Sequence, residues 1–571
     1  MKARTVGVRP ALGPVVGAEL IALCAFLLFP LRHGRWWVAA AITGVAVVLL
    51  VVTVYRRNAL VWAATAVRWR SERREPPAVA AAIDVPHGDL VCGVRADEYE
   101  AITMISVAGQ QYAPTFLRGS TVSRTTNVLP LHVLVGLLDQ PGALRLAGID
   151  VVSSGYRVRR GTGYPPLYST LLADRPAAGQ RSTRLIVRLD ITESVPGLRY
   201  RTSIGSAAAA ATERIVNALL QEGIRATALS AAELDSALQE LSAGLATAPS
   251  PPDPESDGDS DAGSRTREPV AVKALGRAGT NGSRRSPDVG WRTISAYPGY
   301  LTTYYFSPED INTAALNQMW ALRSDEIAQT TSIFKHRNTE PDGGGPVMVS
   351  AIVRTNDPQP PPQPPTLYLN PLPGDQYAAT LRAAPTARPR LKLPPRHLDD
   401  PDELQIPIGP TGILVGAALR DDLTADPEIH RDDMVMWALT DPQRATRIAM
   451  DTSEFYVRQL LIRAAAVGER IAIYSNQPRR WISLAQPNIA VVERRRGPEF
   501  VPTIIVNDRP AAPPSAGLSS TVIALGAAGR GGPAPDIRFV QTSRSTVQIT
   551  TATRQLDVAI VAFRQEQAWT G

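Results

Sequence analysis

The 571-residue chain contains few of the side chains that build disulfides and metal sites. Its two cysteines, Cys24 and Cys92, provide neither a disulfide framework nor a zinc-binding set, which fits a reducing compartment. Its six histidines are dispersed without the spacing of metal ligands. We therefore expect the protein to use no metal ion and no other cofactor.

The common catalytic motifs are also missing. No serine lies in the G-x-S-x-G context of an α/β-hydrolase. "HRDD" at 430–433 begins like a kinase catalytic loop, but Trp437 stands where that loop needs asparagine, and no D-F-G follows. The D-x-D spacing in "DGDSDAG" (257–263) lies in a polar segment that would not hold metal ligands in place. The sequence therefore predicts a protein that is not an enzyme.

Charged residues are nearly absent from two long apolar runs near the N-terminus. Residues 11–31 contain one charge, that of Glu19, and residues 36–54 contain none. Each run is about long enough to cross a bilayer core of roughly 30 Å. Only the turn "RHGR" separates them, so we predict a two-helix transmembrane hairpin rather than a cleaved signal peptide.

Basic residues lie unevenly around this hairpin and predict its orientation. Two arginines lie in the turn, whereas nine lysines and arginines lie on the other side, before the first run and within residues 56–74. The larger group stays in the cytoplasm. We expect a two-span protein of the inner (cytoplasmic) membrane with both termini cytoplasmic. The lipid bilayer then accounts for much of the net charge of +7, and nucleic acid is not expected as a partner.

Several residues of this region are candidates for contacts in or beside the bilayer. Glu19 either contacts a partner helix or reaches the membrane interface. Ala40 and Gly44 form a small-x-x-x-small pair, which either admits another helix or belongs to a lipid-facing stripe. The predicted anchors at the two membrane interfaces are aromatic and basic residues: Trp36, Trp37, Arg56, Arg57, Trp62 and Trp69.

Two strand–helix–strand patterns predict an α/β fold for the rest of the chain. Crossovers of their length join parallel strands. We predict two related domains with mixed sheets and crossover helices. The first pattern has a strand at 183–190, a helix at 206–222 and a strand at 224–229, and the second has a strand at 434–441, a helix at 453–467 and a strand at 469–475.

Composition divides the chain into segments. Residues 246–288 are rich in proline, serine, glycine and charge, and therefore predict a disordered linker. The predicted order is the hairpin with its basic flank at 1–75, a first α/β domain at 76–245, that linker, and a second α/β domain at 289–571 with a polyproline insert at 357–365.

A glycine-rich stretch, "QIPIGPTGILVG" (405–416), needs a separate interpretation. A phosphate-binding loop of the Walker type carries a lysine and a hydroxyl residue after its glycines, and this stretch carries neither. Apolar residues follow its second glycine. We therefore predict a structural turn that enters a strand, built on Gly409, Pro410, Gly412 and Gly416.

The order of these segments resembles EccE, a membrane component of type VII (ESX) secretion systems. The segments that carry the resemblance are "GDLVCGVRADEYEAI" (88–102), "LAGIDVVSSGYRV" (146–158), "TRLIVRLD" (183–190), "WRTISAYPGYLTTYYF" (291–306), "LQIPIGPTGILVG" (404–416) and "FYVRQLLIRAAAVGERIAIYS" (455–475).

The resemblance implies a non-catalytic structural role in protein export. It implies assembly with EccB, EccC and EccD in an inner-membrane core complex, in which EccC is the ATPase. Two alternatives remain open on the sequence alone. The α/β pattern also fits a membrane-anchored glycosyltransferase-like enzyme, and the basic composition also fits a membrane-tethered cytoplasmic binding protein.

Overall fold

The computed structural model confirms the α/β class. Two large sheets are accompanied by helices, and both contain strands from distant parts of the chain. The structure describes residues 6–8, 12–28, 36–55, 57–72, 79–246, 287–336, 345–389, 391–492, 497–509, 520–526 and 533–571.

Three helices precede the sheets. The first two, α1 and α2, pack against each other, and a short antiparallel pair of strands, β1 and β2, joins their flanks. The side chains buried between α1 and α2 are mostly alanines, which lets the two helices approach closely. The elements are β1 (Val6–Val8), α1 (Leu12–Leu28), α2 (Trp36–Val51), β2 (Val52–Val54) and α3 (Ala59–Glu72).

Both N-terminal helices are shorter than the predicted spans. α1 has 17 residues and α2 has 16, which corresponds to about 25 Å of helix each at 1.5 Å per residue. Among the residues that the structure describes, no helix is both long and apolar enough to cross a membrane. The structure therefore does not support the two spans at 11–31 and 36–54, which stay a prediction.

The first sheet has 14 strands, and all their pairings are antiparallel. Its strands are β3 (Ile83–His87), β4 (Leu90–Ala96), β5 (Glu100–Ala108), β8 (Asp139–Gln140), β9 (Leu144–Tyr156), β10 (Gln180–Asp190), β11 (Arg225–Ala228), β12 (Asp288–Val289), β13 (Ile294–Ala296), β14 (Gly299–Phe306), β15 (Glu326–Lys335), β16 (Val347–Asp357), β17 (Leu369–Pro371) and β18 (Arg396–His397).

Two halves of this sheet repeat one strand order. The order is β11-β5-β10-β9 in the first half and β17-β14-β16-β15 in the second. In the first half, α4 (Leu131–Gly136) precedes β9 and α7 (Ile204–Gln221) precedes β11, which is the split β-α-β-β-α-β pattern. In the second half, α9 (Thr313–Gln318) precedes β15, but the polyproline segment stands where the second helix would be.

The first predicted strand–helix–strand pattern is confirmed. β10 and β11 flank β5 and are both antiparallel to it, so they run parallel to each other. α7 ends before Gly223, whose φ of +75° is the left-handed conformation that glycine adopts readily after a helix. The helix starts two residues earlier than predicted, at Ile204: Ser203 is its N-cap, and Ser203 and Ser206 form a capping box.

The second sheet has 12 strands, and it is mixed. In its order, β23-β22-β24-β25-β21-β26-β27-β28-β19-β20-β6-β7, the pairings up to β26 are parallel and the rest are antiparallel. Its strands are β6 (Thr115–Arg118), β7 (Val122–Thr125), β19 (Ile413–Ala418), β20 (Met434–Trp437), β21 (Thr446–Asp451), β22 (Ile471–Ser475), β23 (Ile489–Val492), β24 (Ile504–Asp508), β25 (Thr521–Leu525), β26 (Ile537–Gln541), β27 (Thr546–Thr551) and β28 (Gln555–Ala559).

The second predicted crossover exists, but it starts from another strand. β21, α11 (Glu454–Ala466) and β22 form the parallel unit, and Gly468 follows the helix with φ +97°. The predicted first strand, 434–441, is instead β20, which pairs antiparallel with β19 and β6. The apolar run at 434–437 correctly predicted a buried strand, but hydrophobic periodicity does not determine which strands it pairs with.

The two sheets do not follow the predicted division into residues 76–245 and 289–571. β15, from the second segment, pairs with β9 over seven residue pairs, and the β6–β7 hairpin of the first segment joins the second sheet. Local sequence patterns do not show which distant segments pair in a sheet. The predicted domain boundary was therefore based on composition alone and fell at the linker. Residues 247–286 of that linker lie outside the described residues.

Apolar cores cover both faces of the first sheet. Leu185 and Val187 of β10 belong to a core with α7, whereas Ile186 between them belongs to a core with α8 on the other face. A third core joins the second sheet to α5 and α11. The remaining helices are α5 (Tyr164–Leu171), α6 (Val195–Leu198), α8 (Ala231–Ser242), α10 (Gln376–Leu381) and α12 (Gln567–Thr570).

A buried ion cluster lies where the halves of the first sheet meet. The Oδ2 atom of Asp150 on β9 accepts from Arg188 Nε at 2.7 Å, and its Oδ1 lies 3.4 Å from Arg382 Nη2. Arg382 also donates to Ser332 on β15. Burial opposes ionisation, but the guanidinium groups of Arg382 and Arg188 outweigh it and hold the pKa of Asp150 well below its usual range.

We expect Asp150→Asn to lower the free energy of unfolding by about 3–5 kcal/mol at pH 7, because two buried arginines lose their shared carboxylate. The folded-state pKa lies below the unfolded value of about 3.9, so this stabilisation is present above that pH and is lost as pH falls toward the folded-state pKa. Urea unfolding of the full chain in detergent should show a smaller difference at pH 3 than at pH 7. Asp399→Asn, at a mostly exposed carboxylate, is the control. A loss below about 1 kcal/mol at pH 7 would contradict the assignment.

Candidate functional site

The exposed faces of α1 and α2 are apolar. Glu19 lies exposed on α1, and Ala40 and Gly44 lie exposed on α2. A methyl group on Gly44 would meet no atom within 4 Å, so the small-x-x-x-small pair is not used in the packing of α2 on α1. The exposed large apolar side chains are Val16, Leu20, Ile21, Leu23, Phe26, Leu27, Leu28, Ile42, Val45, Val47, Val48 and Leu49.

Two of the predicted interface anchors stand at the start of α2. Trp36 is 53% exposed and Trp37 is 62% exposed. Arg56, another predicted anchor, lies outside the described residues. The side chains of both tryptophans are therefore available to an external environment at the N-terminal end of α2.

A hydrogen-bonded elbow fixes α3 to the end of α2. Val54 and Arg57 exchange both backbone hydrogen bonds, and Tyr55 between them has φ +50°. The amide of Asn58 donates to the backbone carbonyl of Leu50, the next-to-last residue of α2, over 3.2 Å. α3 therefore starts in a defined position relative to α2.

Three tryptophans join α3 to the first sheet. The ring centroids of Trp62 and Trp291 are 6.0 Å apart, and those of Trp69 and Trp291 are 5.3 Å apart in an edge-on arrangement. Trp69 Nε1 also donates to the carbonyl of Val289. Trp62 and Trp69 were predicted to face the membrane interface, but they face the protein. Their seven-residue spacing places them on one side of the helix and says nothing about what that side contacts.

A buried carboxylate strengthens the same junction. Asp375, at the start of α10, is paired with Arg57 and with Arg68, and the distance from Arg57 Nη2 to Asp375 Oδ2 is 2.5 Å. Arg57 also lies over the ring of Trp62. We call the set Arg57, Trp62, Arg68, Trp69, Trp291 and Asp375 the α3 clamp. Sequence analysis missed Trp291 and Asp375, because they lie more than 200 residues from α3 and carry no local signal.

We expect Asp375→Ala to loosen α3 without unfolding the sheets. Removal of a carboxylate that two arginines share should cost about 1–3 kcal/mol locally, which corresponds to roughly tenfold to hundredfold faster amide exchange in α3. Hydrogen exchange read by mass spectrometry measures this change. Asp399→Ala should leave the exchange of α3 unchanged. Equal exchange in the wild type and Asp375→Ala would show that the tryptophans alone hold the helix.

The glycine stretch carries the chain from the first sheet to the second. Ile408 donates its backbone N–H to Asn127, and Gly409 accepts a hydrogen bond from Arg181 Nε at 2.6 Å. The N–H groups of Thr411 and Gly412 both donate to the carbonyl of Ala178. These N–H groups are already occupied by a protein carbonyl, so the turn does not offer them to a phosphate.

Strand β19 begins immediately after Gly412, so the stretch is a turn that enters a strand. Gly412 has φ +85°, and a Cβ atom there would lie 2.3 Å from the carbonyl carbon and oxygen of Trp437. A Cβ on Gly416 would lie 2.6 Å from the carbonyl oxygen of Ala559 on β28. Both glycines are therefore required by close backbone approach. Gly409 also has a positive φ, but it has open space around it.

We expect Gly412→Ala to destabilise the protein much more than Gly409→Ala. Both substitutions place alanine at positive φ, which costs about 1 kcal/mol, but only Gly412→Ala also drives a methyl group into a backbone carbonyl. The total loss for Gly412→Ala should exceed that for Gly409→Ala by at least ~2 kcal/mol. Thermal or urea unfolding of the two variants measures the difference, and equal losses would contradict the close approach.

A half-open cleft of about 600 Å³ lies between the two sheets beside this turn. Its charged side chains are largely paired: Arg225 Nη1 lies 2.9 Å from Asp441 Oδ2, and Arg184 forms two bonds with Glu240. Burial lowers the pKa of Arg181 to about 9. Over the described ranges, no group of three or more His, Cys, Asp or Glu side chains is arranged to hold a metal ion. The Arg225–Asp441 pair joins the two sheets, whereas the Arg184–Glu240 pair joins β10 to α8 on the first sheet.

The C-terminal segment closes the second sheet through another buried ion pair. Glu566 is paired with Arg463 of α11 and accepts hydrogen bonds from Tyr164 and Gln459. Burial raises the pKa of neighbouring Tyr168 to about 12, so its hydroxyl stays protonated, and its oxygen accepts a hydrogen bond from the backbone N–H of Leu414. These groups hold helices α5 and α11 together. The sequence offered no signal for Glu566, because its partners lie about a hundred and about four hundred residues away.

Comparison with known proteins identifies relatives of one kind. The family model described as "Putative type VII ESX secretion system translocon, EccE" matches residues 177–306. The ESX-2 secretion system protein EccE2 of Mycobacterium tuberculosis (strain CDC 1551 / Oshkosh) is 28% identical over 458 residues, which cover 80% of this chain and 72% of that protein.

Two ESX-5 secretion system proteins named EccE5 are also similar to the chain. The protein of Mycobacterium marinum (strain ATCC BAA-535 / M) is 28% identical over 401 residues, or 66% of this chain and 86% of that protein. The protein of Mycobacterium tuberculosis (strain ATCC 25618 / H37Rv) is 27% identical over 400 residues, or 66% of this chain and 87% of that protein. These matches confirm the resemblance to EccE.

Proposed function

We propose that this chain, which is similar to EccE proteins of type VII (ESX) secretion systems, is an EccE component and a non-catalytic structural part of the inner-membrane core complex of such a system. One observation carries the proposal. A helix pair with apolar exposed faces is attached, through the elbow and the α3 clamp, to a large α/β body whose charged clusters are internally paired. This arrangement suits a protein that positions others rather than one that converts a substrate.

The proposed attachment to the membrane is the hairpin. The apolar runs at 11–31 and 36–54 extend beyond α1 and α2, and a bilayer accommodates short helices at a modest cost by local thinning. The basic residues before the first run and within 56–74 support a cytoplasmic position for both termini under the positive-inside rule. Trp36 and Trp37 then reach the outer interface, and the two sheets lie on the cytoplasmic side.

The proposed partners are EccB, EccC and EccD of the same complex, together with the lipid bilayer, and nucleic acid is not among them. Export energy would come from the EccC ATPase, so this chain needs no nucleotide site of its own. The occupied N–H groups of Thr411 and Gly412 support this division of labour. Inside the bilayer, Glu19, Ala40 and Gly44 are the proposed contacts for partner helices, since none of their side chains is buried between α1 and α2.

The experiment is a mild-detergent pull-down of the tagged full chain from membranes that contain the other components. The wild type should co-purify with the proposed partners. Gly44→Leu combined with Glu19→Leu should reach the membrane in normal amount and retain several-fold less of them, because leucine at position 44 holds helix backbones apart. Val48→Leu, at another exposed position of α2, is the matched control.

Two results would count against the proposal in different ways. If the wild-type protein co-purifies with none of the proposed partners, the proposal that it belongs to this complex is refuted. An unchanged yield with the double variant refutes the contact assigned to the hairpin and moves assembly to the sheets.

A further inference from the structure

The outward side of α3 is apolar over three turns. Leu60 is 61% exposed, Val61 is 46% exposed and Val67 is 71% exposed. Ala63, Ala64 and Ala66 on the same side are exposed as well, and the first charged residue of this side is Arg70. A helix on the surface of a water-soluble body normally turns charged and polar side chains outward. α3 instead has apolar residues on both of its sides.

The inward side of α3 is already occupied. Trp62 and Trp69 contact Trp291 in the α3 clamp, and Thr65 is buried against Gly374, where an added Cβ would lie 2.6 Å from Thr65 Cγ2. The rotation of the helix is therefore fixed by packing. The outward side is left without a covering element among the described residues.

The residues around this outward side of α3 indicate what kind of surface covers it. The elbow attaches α3 to the end of α2, so the exposed apolar surface of α2 leads directly to that of α3. The sequence from Arg56 to Ser71 contains four arginines and no acidic residue, and Arg73 and Arg74 follow between Glu72 and Glu75. Arg57 and Arg68 pair with Asp375 in the α3 clamp, whereas Arg70 is exposed. A short apolar side bordered by arginines is the composition of a helix that lies in the interface of an anionic membrane.

We propose that α3 lies in the headgroup–acyl boundary of an anionic bilayer leaflet, with Leu60, Ala64 and Val67 toward the acyl chains and Trp62 and Trp69 toward the protein. This inference rests on the proposed membrane insertion of α1 and α2 and deepens it. The tryptophans, which the sequence suggested as the lipid anchors, are the residues that hold the body onto the helix. The aliphatic residues between them hold the helix onto the lipid.

The test measures the depth of spin labels in the full chain, placed in nanodiscs of phosphatidylglycerol and phosphatidylcholine. Cys24 and Cys92 are replaced by alanine, and single labelled cysteines are introduced at Ala64 and Val67. Collision of the label with oxygen, which concentrates in lipid, is compared with collision with a water-soluble nickel complex. The reference positions are Val45 on α2 and Tyr200, which is 89% exposed on the first-sheet body.

Labels at 64 and 67 should favour oxygen over nickel at least threefold more than the label at 200 does, and less than the label at 45 does. Discs of phosphatidylcholine alone should reduce the depth at 64 and 67, because Arg70 and the other arginines outside the α3 clamp lose their anionic partners. An unchanged depth would overturn the assignment of an anionic leaflet.

The remaining outcomes separate this inference from the proposed function. A lipid-exposed label at 45 with water-exposed labels at 64 and 67 overturns the inference and leaves the hairpin proposal in place. Labels at 64 and 67 that collide with neither reagent show that a protein covers α3, and this too overturns the inference. A water-exposed label at 45 refutes the membrane hairpin itself.

Discussion

The antiparallel pairing of β9 with β15 is the contact on which the rest of the architecture depends. It joins two halves that repeat one strand order, and it brings together strands that are about 170 residues apart in the chain. Asp150 lies opposite Ser332 at this seam, and Arg188 and Arg382 converge on its carboxylate from a neighbouring strand and from the end of α10. The seam is therefore specified twice, by backbone pairing and by a charge that only this arrangement satisfies.

Sequence reasoning succeeded where the signal is local. The strand at 183–190, the helix that ends before Gly223 and the helix that ends before Gly468 follow from periodicity and from glycine at a helix end. The glycine stretch could be predicted to be a structural turn because it lacks the lysine and the hydroxyl residue of a phosphate-binding loop. What failed was pairing across distance. The strand predicted at 434–441 is β20 (Met434–Trp437), which pairs with other strands than expected, and composition assigns β6 and β7 to the wrong sheet.

Contacts between distant residues were also what the sequence could not predict in the candidate site. The spacing of Trp62 and Trp69 correctly predicted that both lie on one side of one helix. Their partner, Trp291, lies more than 200 residues further along the chain, so the sequence around α3 could not predict this contact. Because α3 has apolar residues on both sides, its sequence does not determine which side would face lipid. Only the position of the folded body decides between them, and that position depends on Asp375 and on the absence of a side chain at Gly374.

The long separation of β9 and β15 has a consequence for biosynthesis. At a translation rate of roughly 5–20 residues per second, β15 leaves the ribosome roughly 10–35 s after β9. In the later part of that interval, after β11 has been synthesised, the first half of the sheet is complete except for the long free edge of β9, which is the kind of edge that pairs with the wrong chain. Under the proposed membrane insertion of α1 and α2, the nascent protein is already tethered at the membrane while this edge is unpaired. Crowding of several nascent copies at one patch of membrane would then expose identical edges to one another.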